Sequence, residues 1–510
     1  MSNIIVIGSG IGGLTTAALL AQQGYRVTVL EAQTYPGGCA STFTHQGYRF
    51  ESGATLAGGF QADGPHALVA QRLGISWPIH RCDPAWVVHL PDRSITLTSD
   101  YQDILAQFPE GQAFWAEQQR VADLGWAMAA DGLPWPPTNP AELVQLARIG
   151  LNHFPADMRL ARYALGTVRG WLARHGLAHN TAFKRFIDAQ LLISAQTTAD
   201  HANALYGATA LDLARQGVQH VEGGIGGLAE TLVQAIKAYG GEVLYRRRVS
   251  QIKVEAGRVV GVQAMHGRHD TTGTFYPADF VVANVTPWSL DTLLGEDSPR
   301  RLRRETHKRQ AGWGAFALHL GVKADQLPQG IPDHHQIITE MEGPLGEGRS
   351  LFISMSPLWD SSRAPSGHRA VTITTHTAVQ PWWDVLASDE AAYHARKQAY
   401  TERILQTVEG MIAGFRDSLE LVLPGSPVTY QFYTERHLGM VGGFPQQSLF
   451  TARSPHTGLP NLRLVGDSIF PGQSTAGVTL GAMRVAQDIQ RRLPIEGRQH
   501  ERSSLHVVPS

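Results

Sequence analysis

The opening of the chain, IIVIGSGIGGLTTAALLAQQGYRVTVLE, constrains its fold more than any other stretch. Ile4 to Ile7 form a short β-branched apolar run, the pattern of a strand buried on both faces. A glycine turn, Gly8-Ser9-Gly10-Ile11-Gly12-Gly13, leads into a helical pattern that stops at Gly24. A second strand, Arg26 to Leu30, ends on Glu31. In this βαβ unit Gly8 permits the tight turn and Gly10 lets a pyrophosphate approach the backbone. Gly13 lets helix and strand pack closely, and the free N–H groups of the helix start attract the phosphate. Glu31, 18 residues past Gly13, stands where a carboxylate would bind ribose hydroxyls. The unit predicts a Rossmann-like dinucleotide site and leaves NAD and FAD both open.

Composition narrows the class. At 510 residues the chain is too long for one ordinary core, so two interleaved domains are expected. Hydrophobic residues make up 43% and charged residues 17%, which suits a globular protein. A net charge of −1 offers no electrostatic case for nucleic acid. The two cysteines, Cys39 and Cys82, rule out a disulfide scaffold and a four-cysteine zinc site. Cys39 has no nearby partner cysteine and reads as a small packing residue. The apolar N-terminus lacks the basic start of a signal peptide. No run of about 20 uninterrupted apolar residues predicts a membrane span.

Downstream, Pro36-Gly37-Gly38 and Ser41 in EAQTYPGGCASTF form a second glycine loop able to approach an extended ligand. Residues 217–285 carry a glycine-led helix and two strands joined at Glu255-Ala256-Gly257-Arg258, the pattern of a hairpin. Residues 75–215 read as largely helical, and 310–435 as a second sheet with covering helices. Arg159–Gly176 projects as a basic amphipathic helix that could lie on a bilayer surface or pack on its own core. Arg300–Arg309 adds positive charge. Asp188, Gln190 and Gln196 interrupt an apolar helical pattern, either facing a channel or held by buried hydrogen bonds. The adjacent His334-His335 falls in a Pro/Gly-rich stretch, and no metal site is expected.

The C-terminal stretch NLRLVGDSIFPGQSTAGVTLGAMRVAQDI decides between the two dinucleotides. A buried strand runs to Val465, Gly466-Asp467 follows, and a helix is expected to start near Gly477-Val478. A helix N-terminus there would stabilise negative charge on the pyrimidine side of a reduced flavin, while Asp467 would accept a hydrogen bond from a ribityl hydroxyl. NAD enzymes need no such second unit, so FAD is the expected cofactor.

These stretches, with EGGIGGLAETL in the centre, resemble the phytoene desaturase-related carotenoid desaturases and isomerases over essentially the whole chain. PGGCASTFTHQGYRFESGAT and ATALDLARQGVQHVEGG are most similar to the cyanobacterial-type carotenoid 3′,4′-desaturases. GDSIFPGQ is also similar to the carotene cis–trans isomerases. The resemblance implies an α/β flavoprotein, its Rossmann-like FAD domain of the glutathione reductase-like or amine oxidase-like kind. That domain would comprise 1–74, 217–295 and 436–495, interleaved with an α+β substrate domain of 75–216 and 296–435, with a tail at 496–510. It implies an FAD set of Gly8, Gly10, Gly13, Glu31, Gly37, Gly38, Ser41, Val249, Gly466, Asp467, Gly477 and Val478, and names no catalytic group. Glu51-Ser52-Gly53 departs from the family's frequent Asp–x–Gly, and Glu51 is given no role. The implied activity is desaturation of a carotenoid by hydride transfer to the flavin, with a quinone or oxygen as electron acceptor. The implied location is cytoplasmic and peripheral at a membrane. Alternatives are a cis–trans isomerase using reduced FAD, an amine oxidase-like enzyme, and a non-catalytic prenyl-lipid carrier like the Rab GDP-dissociation inhibitors.

Overall fold

A computed structural model describes residues 2–267, 270–309 and 312–494; the expected tail, 496–510, lies outside them. Asn3–Ile7 is the middle strand of a five-stranded parallel sheet. In order across the sheet, the strands are Leu462–Leu464, Phe280–Ala283, Asn3–Ile7, Arg26–Leu30 and Glu242–Leu244. Ile4, Val6, Val29 and Val281 are fully buried or nearly so, as a parallel strand covered on both faces requires. Helix Ile11–Gln22 packs against Gly226–Ala238 and Ser474–Arg492. A three-stranded antiparallel sheet, Arg247–Glu255, Arg258–His266 and Thr274–Pro277, leans on this layer. Ala256 and Gly257 both take positive φ in its two-residue turn, the twist that matches a tight hairpin.

The second sheet has seven strands: Leu419–Gly425, Trp313–Lys323, His368–Ala378, Ser350–Met355, His334–Ile338, Trp86–Leu90 and Arg93–Leu97. Its pairs are antiparallel except His334–Ile338 with Trp86–Leu90. Three details differ from the sequence expectation. Residues 79–97, expected to be helical, supply three strands, Ile79–Arg81 among them. Their alternation is short, and Ile79–Arg81 and Trp86–Leu90 pair with strands far along the chain, while Arg93–Leu97 closes a hairpin on Trp86–Leu90. His334 and His335 open a buried strand instead of sitting in a loop.

The third concerns Arg159–Gly176, which is not one helix. A short helix, Ala161–Ala164, ends before Gly166, and Thr167 accepts the Gly170 N–H to start a separate one, Val168–Arg174. Val168, Trp171 and Leu172 are fully buried in the helical core. Arg162 and Arg169 pair with Glu117 and Asp200. Most of the apolar side is used internally, with Leu165 left 75% exposed, and those two arginines have partners, so this segment does not present one continuous amphipathic helix face.

The last helix is tied to the sheet by charge. Arg463, on the edge strand and fully buried, donates from Nε to Asp488 Oδ2 at 2.7 Å and from Nη1 to three backbone carbonyls. On the same helix Arg484 pairs with buried Glu142 at 3.0 Å. A buried charge left without its partner typically costs about 3–5 kcal/mol. Asp488→Ala is therefore expected to lose about that much stability in urea unfolding, whereas Arg463→Met/Asp488→Leu recovers most of it. Equal stability of Asp488→Ala and the parent would show that the pair does not hold the helix.

Candidate FAD and substrate site

Three strand ends meet at the carboxyl edge of the parallel sheet, and glycine is required where they touch. Gly8 has φ +88°, and its N–H donates to Leu30 O at 2.8 Å. A Cβ on Gly13 would stand 2.5 Å from Gly8 O and 2.9 Å from Asn284 Cβ. A Cβ on Gly10 would stand 2.4 Å from Asn284 Nδ2, and one on Gly12 3.1 Å from Gly466 N. Gly466 itself has φ +114°. Gly10 precedes helix Ile11–Gln22, which has no side-chain cap and no acidic residue in its first turn. The arrangement is a bare backbone cradle aimed at by a helix N-terminus, which fits an anionic pyrophosphate.

A cavity of about 1280 Å³ extends from this cradle into the second sheet. Ordinary ligand pockets span about 300–1,000 Å³, so this one has room for a dinucleotide and a second molecule. Of the expected FAD residues, Gly8, Gly10, Glu31, Gly37, Gly38, Ser41, Val249, Gly466, Asp467 and Val478 line it. Gly13 and Gly477 lie behind the wall as packing positions; a Cβ on Gly477 would stand 1.7 Å from Gly472 O. Glu31 is fixed by Ser9, whose N–H and Oγ donate to Oε2 at 2.7 and 2.6 Å, and by the Gln33 N–H. Gly37 and Gly38, with φ +118° and +60°, carry the second loop beside Gly10. Ser41 Oγ meets Ser52 Oγ at 2.8 Å. Val249 is buried at a bulge in its strand.

The final helix begins at Ser474, earlier than expected, because Ser474 Oγ accepts the Gly477 N–H at 3.1 Å and starts the turn. Ser474 has φ +65°, an uncommon conformation for a non-glycine residue, at a position lining the cavity. Asp467 accepts from Arg436 Nη2 at 2.8 Å, and Arg436 also donates to Met440 O and Gly442 O. Neither Asn284 nor Arg436 stands in a glycine motif, so spacing could not identify them. The strand ending VVAN before Thr286-Pro287 was the available signal for Asn284.

Beyond the cofactor loops the walls turn apolar, with Phe43, Leu56, Trp86, Ile193, Leu213 and Phe352. Polar groups interrupt them. Gln190 donates to Gln336 Oε1 at 2.7 Å, and Gln196 stands 3.3 Å from His376 Nε2. Asp188 instead turns to Lys184 and the Ala199 N–H, a structural role. His319 contacts Phe43 edge-on at 5.0 Å and Phe50 at 5.6 Å. Burial pushes His319 and His376 down to about 4, so both imidazoles are neutral at pH 7. Burial raises the Cys39 thiol, with Arg436 opposing. Glu51 is held by Arg363 at 3.2 Å, and both cysteines are free.

Comparison with known proteins agrees with this geometry. The family model described as flavin containing amine oxidoreductase matches residues 11–490. Prolycopene isomerase 1 of an Oncidium hybrid cultivar is 29% identical over 96% of this chain and 84% of its own length. The neurosporene-forming phytoene desaturase of Cereibacter sphaeroides is 24% identical over 98% of this chain and 96% of its own. An oxidoreductase structure from Methanosarcina mazei superposes with a TM-score of 0.65 at 18% identity, covering 95% and 100% of the two chains. The cofactor is FAD.

The new methyl of Gly10→Ala meets the movable end of Asn284 and faces the cradle, whereas that of Gly13→Ala meets backbone. Gly10→Ala is expected to weaken FAD binding by about tenfold or more (about 1.4 kcal/mol) with a near-parent apoprotein melt. Gly13→Ala is expected to lower the melt itself. Fluorescence titration of apoprotein with FAD separates them; unchanged affinity in Gly10→Ala would sink the cradle assignment.

Proposed function

We propose, from the premise that the chain belongs to the flavin-containing amine oxidoreductase family, that it is an FAD-dependent carotenoid desaturase. The observation that carries this reading is the continuous cavity, which joins the cofactor loops to an apolar interior. A long polyene lying there would bring one C–C bond to the flavin end, with its remaining length among Phe43, Trp86, Leu213 and Phe352. FAD, when bound, supplies the hydride acceptor, and a quinone or oxygen is the reading for the final electron acceptor. The proposed cofactor positions are Gly8 and Gly10 at the pyrophosphate, with Gly13 behind them letting helix and strand pack, Glu31 at the ribose and Val249 at the adenine edge. Gly37, Gly38, Ser41, Gly466, Asp467 and Val478 serve the flavin half, with Gly477 packed behind the helix start.

Removing a hydride leaves a delocalised polyene cation whose neighbouring C–H is acidic, so a weak base suffices. His376 and His319 are neutral imidazoles facing the cavity and able to take that proton. The carboxylates lining the cavity, Glu31, Glu435 and Asp467, belong to the cofactor loops. A site with proton acceptors at its substrate end favours net oxidation over protonation of an alkene.

A second reading, cis–trans isomerisation with reduced FAD, is favoured by the higher identity to a prolycopene isomerase, 29% against 24% for a phytoene desaturase. The two are separated by incubating oxidised enzyme with an acyclic carotenoid and a quinone, and reduced enzyme anaerobically with a cis-polyene. Desaturation predicts a red-shifted product lighter by two hydrogens in the first arm. Isomerisation in the second arm without any product in the first would overturn it. His376→Gln is expected to slow the first arm by roughly 10²-fold, with FAD affinity kept.

Membrane contact moves to another surface. No helix among the described residues is long and apolar enough to cross a membrane. Helix Pro140–Asn152 and the segment after it expose Leu143, Val144, Leu151, Phe154 and Met158, each by 55–77%. So much apolar side chain at one stretch of surface suits an interface with lipid. Leu151→Glu/Phe154→Glu is expected to cut cosedimentation with anionic vesicles severalfold while leaving the melt unchanged; undiminished binding would remove this segment as the contact.

A further inference from the structure

The two adjacent histidines that the sequence offers cannot serve one ion, because strand neighbours point to opposite faces. His335 turns to His89, 3.1 Å from Nδ1, and to Pro332 O. His334 turns the other way, toward Cys82 and His220, which arrive from a different pair of strands, Ile79–Arg81 with Gln219–Val221. One donor atom from each of Cys82, His220 and His334 lies within 4.8 Å of the other two, and all three residues are buried.

The surroundings are arranged as they are around metal ligands. His334 is 2% exposed; its Nδ1 has no hydrogen-bond partner, and its Nε2 faces the Cys82 sulfur at 3.8 Å. The Cys82 sulfur is a weak and distant partner for a buried ring nitrogen, and a cation taken at Nε2 would replace it with a ligand bond. His220 Nε2 is held by Asp333 Oδ2 at 3.0 Å, and Asp333 is in turn paired with Arg369, which donates to Ser356 O. A carboxylate orienting one ring nitrogen so that the other can ligate is the usual outer support of a metal-bound histidine. Ligand bonds of about 2.0–2.3 Å place tetrahedral donors roughly 3.5 Å apart. The thiol–imidazole separation is close to that value, and small side-chain rotations close the remainder.

We propose that Cys82, His220 and His334 form a binding site for a Zn²⁺-class divalent cation, with Asp333 orienting His220. One sulfur and two imidazole nitrogens select a borderline-soft ion over Mg²⁺ or Ca²⁺. On binding, the Cys82 S–H bond breaks, its proton leaves to solvent, and a metal–sulfur bond forms. Without metal, burial pushes the Cys82 thiol up to about 12 and lowers His334 far below the usual imidazole range. Cys82 is therefore a thiol and His334 a neutral imidazole before the ion arrives, and the ion is what draws out the thiolate. The site would pin the strand leading into the Glu222–Gly227 loop to the seven-stranded sheet, behind Trp86 and Phe352 of the cavity wall.

The test uses the intact flavoprotein, dialysed against a chelator and then loaded with Zn²⁺ or Co²⁺ alone. Expected are one Zn²⁺ retained per chain after gel filtration, release of about one proton per ion taken up, and a sulfur–nitrogen shell in zinc X-ray absorption. Co²⁺ should give a thiolate-to-cobalt charge-transfer band in difference spectra, with the flavin bands unmoved. Cys82→Ala and His334→Gln should each bind at least 100-fold more weakly, and Zn²⁺ should raise the melting temperature of the parent alone. Absence of uptake by the parent, a shell without sulfur, or equal uptake by Cys82→Ala overturns the site. The absorption measurement needs only the parent, so a variant that fails to fold leaves the test intact. No arm depends on polyene turnover.

Discussion

Everything at the reactive end of this molecule depends on one steric constraint, the approach of three strand ends to Asn284. Its side chain occupies the space that a Cβ would need at Gly10 and Gly13, and lies against Gly12 and Gly466. The first strand, the strand Phe280–Ala283 and the strand Leu462–Leu464 can therefore end side by side only if their loops are bare backbone. The consequence is chemical as much as structural: N–H groups with no side chains over them are left facing one point, where a helix N-terminus also aims. Fitting the backbone together and building an anion site are the same event.

A second set of forces holds the other half of the site. The last helix carries two buried charges, Arg484 and Asp488, and the exposed Arg492, each paired. Such pairs add little net stability, because desolvation offsets their attraction. Their value is directional. Arg463–Asp488 fixes the helix to its own strand, and Arg484–Glu142 fixes it to the helix that exposes Leu143, Val144 and Leu151. Arg436 plays the same part at the helix start, joining Asp467 to the Met440–Gly442 turn. The N-terminus of this helix is thereby set in rotation and distance relative to the Gly8–Gly13 cradle, which hydrophobic packing alone would leave looser.

The nucleotide half was legible in the chain because its information is local. Glycines at fixed spacing, a buried strand before them and an acid after them all fall within about one βαβ unit, and ten of the twelve expected cofactor positions line the cavity. What stayed hidden is long-range. Asn284 acts on glycines far away in the chain, and Arg436 joins a nearby turn to Asp467 without a motif to mark it. Strands Ile79–Arg81 and Trp86–Leu90 take their meaning from partners at 219–221 and 335–337. The Arg159–Gly176 projection failed for a local reason: Gly166 and the Thr167 cap divide a pattern that periodicity treats as continuous. Cys82, His220 and His334 carry no ligand spacing because the end of one strand, Ile79–Arg81, and two other strands deliver them.

The chemistry of the substrate end follows from burial. His319 and His376, placed in strands facing an apolar tunnel, lose the charged form because burial strips away its solvation. A charged imidazolium would repel a polyene cation and raise the barrier to forming one; a neutral ring faces that cation as a dipole and can accept its proton. On the proposed reading one neutral pocket can serve desaturation or isomerisation of a polyene, and its proton acceptors favour net oxidation when the flavin waits oxidised. What separates them is the redox state in which the flavin waits. Electrons leaving to a quinone keep it oxidised and make hydride loss net, whereas a pool that keeps it reduced turns the same pocket to isomerisation. On the proposed reading, the balance between the two outcomes therefore rests on the redox state of the flavin together with the proton acceptors of the pocket.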